Sequence, residues 1–151
     1  MENNLLFSEK FNSTTESEIV EIVAKDSFFS LERAIDSKII DKILSEVDLF
    51  KLNLNSVEIS SVHADSGYYA SNALAKSNTL FKLLTSEKIL QIAKQYLGNE
   101  FRLKCHRIYS TSTITRQGWH TDNKKYGTVD QKVKGLVFII YLNDVFSGEF
   151  Q

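Results

Sequence analysis

The sequence predicts a single α+β domain in which helices come first and strands later, and three observations carry this. Residues 37–47 and 87–97 place apolar side chains at helical spacing between recognisable capping residues. Residues 101–109 alternate in character, as a half-buried strand does. In residues 133–142, Val137, Phe138, Ile139, Ile140 and Tyr141 form a continuous apolar run, which reads as a strand buried on both faces.

Taken in order, residues 1–13 are polar and weakly patterned and are expected to be poorly fixed. Thr15 and Glu18 have the spacing of a capping box ahead of Ile19, Val20, Ile22 and Val23, predicting a short helix to about Lys25. Asp26-Ser27 breaks that pattern, and residues 28–35 read as a strand. With Asp36 or Ser37 as N-cap, Ile39, Ile40, Ile43, Leu44 and Val47 form one helical stripe. Residues 51–62 alternate loosely and fit either strand or irregular structure, whereas 63–72 have loop composition. A short helical turn is expected over 78–84. Ser86 and Glu87 then open a helix whose apolar face is Ile89, Leu90, Ala93, Tyr96 and Leu97 and which Gly98 ends. On the strand that follows, Phe101, Leu103, Cys105, Arg107 and Tyr109 share one face and Arg102, Lys104, His106 and Ile108 the other. Residues 110–118 connect to Trp119, 123–132 form a polar loop, Asn143-Asp144 turns the chain, and Val145 begins another element.

At 151 residues the chain is one domain by length, with 42% hydrophobic and 25% charged residues as in ordinary soluble globular proteins. Lys and Arg number 18 against 19 Asp and Glu, interspersed, so neither a nucleic-acid nor an anionic-membrane footprint is visible. No apolar run approaches the roughly 20 residues that span a bilayer. The first ten residues lack a basic leader and a long apolar core, so a cytoplasmic location is expected. One cysteine, Cys105, excludes an intramolecular disulfide and a Cys-based zinc site and reads as a small core residue. Proline is absent, so turns depend on Gly, Asn, Asp and Ser.

The chemistry concentrates in residues 116–123, Arg-Gln-Gly-Trp-His-Thr-Asp-Asn. On an extended backbone His120 and Asp122 point the same way. A neutral imidazole and a carboxylate aimed into one cavity supply two of the three donors of the facial triad that holds non-haem Fe(II). The competing reading is a surface turn. His63 and Asp65 have the same spacing but no apolar strand after them, and they read as loop.

Trp119-His120-Thr121-Asp122, followed by the 135–145 stretch Gly-Leu-Val-Phe-Ile-Ile-Tyr-Leu-Asn-Asp-Val and by Gly148-Glu149-Phe150-Gln151, resembles the phytanoyl-CoA dioxygenase-like family of Fe(II)/2-oxoglutarate-dependent oxygenases. The likeness runs through most of residues 26–151 and includes the helix ending in Tyr96-Leu97-Gly98 and the 101–109 strand. It implies N-terminal helices packed on a double-stranded β-helix, a cupin-like jelly roll, with His120 and Asp122 as metal ligands. It also implies Fe(II) as cofactor, 2-oxoglutarate as co-substrate, and dioxygen and a small molecule as the other reactants. A distal His and a basic residue that pairs with 2-oxoglutarate are expected beyond Gln151. The chain then corresponds to the N-terminal part of such an enzyme, with its jelly roll incomplete, and alone it is expected to be inactive. Tyr109 and Arg107 are candidates to bind 2-oxoglutarate, against the simpler readings of core packing and a surface ion pair. His106, which precedes the motif, reads as a hydrogen-bonding residue rather than a third ligand. Two other functions compete: a non-catalytic interaction domain, and a cupin-like metalloprotein with a non-redox metal, such as an isomerase.

Overall fold

The computed structural model describes residues 6–47, 68–103, 106–110, 124–125, 128–129 and 134–144. These are mostly helical. The helices are α1 (Glu9–Ser13), α2 (Glu16–Asp26), α3 (Ser37–Glu46), α4 (Ala73–Lys76), α5 (Asn78–Leu84) and α6 (Glu87–Leu97). The strands are β1 (Tyr68–Ser71), β2 (Arg107–Ser110), β3 (Lys124–Lys125) and β4 (Thr128–Val129).

Local chemistry explains where the helices begin. Ser8 caps α1 by accepting from the Phe11 N–H, and Thr15 caps α2 by accepting from the Glu18 N–H at 3.2 Å while Glu18 Oε2 accepts from the Thr15 N–H at 2.8 Å. This reciprocal pair satisfies two donors that a helix start otherwise leaves open. The Glu18 carboxyl is held below the usual carboxylate range, first by the Thr15 N–H and then by the Thr15 hydroxyl. Asp36 caps α3 through the Lys38 N–H at 2.9 Å. Ser27, at φ 69°, closes α2 in the left-handed region.

The amphipathic stripes turn inward on one another. α2 packs along α6 and α3 along α5. Ile19, Ile43, Leu80, Leu83, Ile89 and Ile92 form the centre of the core, and Phe7 and Phe11 cover one end with ring centroids 4.8 Å apart. Full burial of each such side chain contributes about 2 kcal/mol. On α6 the buried residues are Ile89, Ile92 and Ala93, whereas Leu90 is turned outward.

Four expectations are overturned. The α+β class with its jelly roll is the first: the described residues are mostly helical, and among them the strands form only two short two-stranded antiparallel ladders, β1 with β2 and β3 with β4. Residues 134–141 adopt no regular secondary structure and contribute only Leu136, Ile140 and, just beyond, Leu142 to the core. Val137 is 58% and Ile139 55% exposed, where a strand covered on both faces would hide them. A continuous apolar run states that a segment is hydrophobic, not which faces find cover, and here only Leu136, Ile140 and Leu142 of the segment pack against the core.

The start of the chain is the second correction. Residues 6–13 are fixed: Phe7 and Phe11 are buried, and the Ser8 N–H donates to the Ala34 carbonyl at 2.8 Å. Third, residues 28–35 form no strand. Arg33 at φ 53° turns the backbone, and only Ile35 makes a bridge, to Phe7. Fourth, the 101–109 strand is confined to its last part. Phe101 and Leu103 are exposed, and Ile108, on the opposite face of the expected alternation, is buried in the core. Its partner β1 falls at the end of the segment whose composition suggested loop, in the register Tyr69 opposite Tyr109 and Ala70 opposite Ile108.

Candidate metal site and polar clusters

The expected metal ligands His120 and Asp122 lie outside the described residues, as do Trp119, Arg116, Cys105 and the His63/Asp65 pair. The two candidates for 2-oxoglutarate binding sit on β2. The register places Arg107 opposite Ser71 and Tyr109 opposite Tyr69, so both are held by the ladder. The Arg107 side chain is exposed. Among the described residues no group of three or more His, Cys, Asp or Glu side chains is arranged to hold a metal ion.

His106, immediately before β2, is half-buried, and its Nδ1 accepts from the Leu74 N–H at 3.3 Å. A neutral imidazole that accepts at Nδ1 carries its proton on Nε2, so neither nitrogen keeps a free lone pair for a metal. The geometry makes His106 a strut between β2 and α4 rather than a ligand.

The best-formed polar cluster has no counterpart among the sequence expectations. Glu46, the last residue of α3, reaches the start of α5: its carboxylate accepts from the Ser77 hydroxyl at 2.7 Å, the Thr79 N–H at 2.9 Å and the Thr79 hydroxyl at 2.6 Å. Ser77 is fully buried and also caps α5 by accepting from the Leu80 N–H at 2.9 Å. These donors hold the Glu46 carboxyl down to about 2, the Thr79 hydroxyl first, then the Thr79 N–H and the Ser77 hydroxyl, with Lys42 adding a smaller favourable charge. A carboxylate so strongly satisfied is a poor proton acceptor near neutrality. Its work is to fasten α3 to α5.

Lys88 of α6 forms a second cluster. Its Nζ donates to the carbonyls of Thr14 and Asn12 at 2.5 and 3.3 Å, lies 3.6 Å from Glu16 and stands 5.1 Å from the centre of the Phe11 ring. The two carbonyls belong to the last turn of α1 and to Thr14, which follows it, so one ammonium group docks the α1–α2 junction onto α6. Both clusters pair groups far apart in sequence, and the only local signal is Ser77 ahead of a short helix.

No family model, no curated protein and no solved structure matches the chain. None of the helices among the described residues is long and apolar enough to cross a membrane.

Proposed function

We propose that residues 116–123 form part of the iron centre of an Fe(II)/2-oxoglutarate-dependent oxygenase acting on a small molecule. The observation that supports this reading is the order His120-Thr121-Asp122 followed by the apolar stretch ending in Tyr141-Leu142-Asn143-Asp144. Its support is local to these residues, because the described part of the fold holds no double-stranded β-helix. The donor chemistry fits ferrous iron in two positions, an imidazole nitrogen and a carboxylate oxygen. A third donor does not come from His106, whose ring is committed to Leu74. Iron bound there with 2-oxoglutarate would supply activation of dioxygen. The chain's own part is to offer a neutral imidazole at His120 and a negative charge at Asp122.

A rival reading is a non-catalytic interaction domain, which requires no double-stranded β-helix. Anaerobic titration with Fe(II) and 2-oxoglutarate separates the two. The oxygenase reading expects iron binding, and the weak visible charge-transfer band of the 2-oxoglutarate chelate where the site is complete, with iron affinity falling ~10-fold or more in His120→Ala and Asp122→Ala while their circular dichroism stays that of the parent. Equal iron binding by parent and both variants refutes it.

A further inference from the structure

We draw no further inference here: the strongest candidate, the exposed apolar surface of Val137, Phe138 and Ile139 along the irregular 134–144 segment, carries nothing because nothing in the structure shows what covers it.

Discussion

Replacing Glu46 by glutamine tests how α3 is held to α5. The carboxylate accepts three hydrogen bonds, and its pKa falls from 4.5 to about 2. Taken whole, that difference corresponds to about 3 kcal/mol of stabilisation of the folded state. Glu46 is only partly buried, and solvent screening reduces the expected contribution to about 1–2 kcal/mol. The sign follows from protons bound. Between pH 4.5 and about 2 the unfolded chain holds a proton on Glu46 that the folded chain does not. The contribution is therefore complete above pH 4.5 and is lost as pH falls towards 2. The substituted amide would keep one acceptor oxygen, in the place of Oε2, for the Ser77 hydroxyl and the Thr79 N–H, and would lose the charge and the acceptor for the Thr79 hydroxyl, so Glu46→Gln should be about 1–2 kcal/mol less stable at neutral pH and should differ less from the parent as the solution is acidified. Urea unfolding followed by circular dichroism, at a series of pH values from neutral down to about 2, measures both. Glu18, also held below its ordinary pKa, acts in the same direction, but it is present in both proteins and cancels in the difference. Parallel pH profiles for parent and variant, or equal stability at neutral pH, would refute the assignment.

Three further outcomes are expected. Lys88→Met keeps the stem and removes the donors to Asn12 and Thr14, and a loss of about 1–3 kcal/mol with faster proteolysis near residues 12–15 is expected; unchanged proteolysis would show that the docking of the α1–α2 junction does not depend on the ammonium. In the 134–144 segment, Ile139→Asp should change stability by no more than about 0.5 kcal/mol, because Ile139 is largely exposed. Ile140→Asp, which places a charge against the core, should cost about 2 kcal/mol or more; equal and large losses from both, measured by denaturant titration, would restore the doubly covered strand. Thr15→Ala removes half of the capping box on α2 and should cost about 1 kcal/mol, read as a shift of the thermal midpoint, and no shift would mean that tertiary packing alone sets that helix start.

The helices are readable because their signals are local. Thr15 with Glu18, Asp36 ahead of Ile39, and Ser86-Glu87 ahead of Ile89 each put a capping residue type next to an apolar stripe, and α2, α3 and α6 begin at those places, with the Ser86 hydroxyl donating to the Leu83 carbonyl instead of capping α6. α1 escapes such a reading because its residues are mainly polar, although Ser8 with Phe7 and Phe11 four apart is a cap and a one-sided apolar pair. The strands mislead for a different reason. Whether Val137 or Ile140 is covered depends on which other segments reach it, and sequence spacing within 133–142 does not contain that information. The Glu46 cluster is invisible for the same reason, since its partners Ser77 and Thr79 lie 31 and 33 residues away. His120 and Asp122, legible as a motif, lie outside the described residues.

The pairing of β1 with β2 has a consequence for the order of assembly. It joins Tyr68 to Ser110 across the whole of α4, α5 and α6, so those helices, built from near neighbours, can condense before the clasp shuts. Once shut, the clasp anchors Ser110 and with it the departure point of the polypeptide towards His120. With Ile108 buried in the core, that departure point is tied to the helical scaffold.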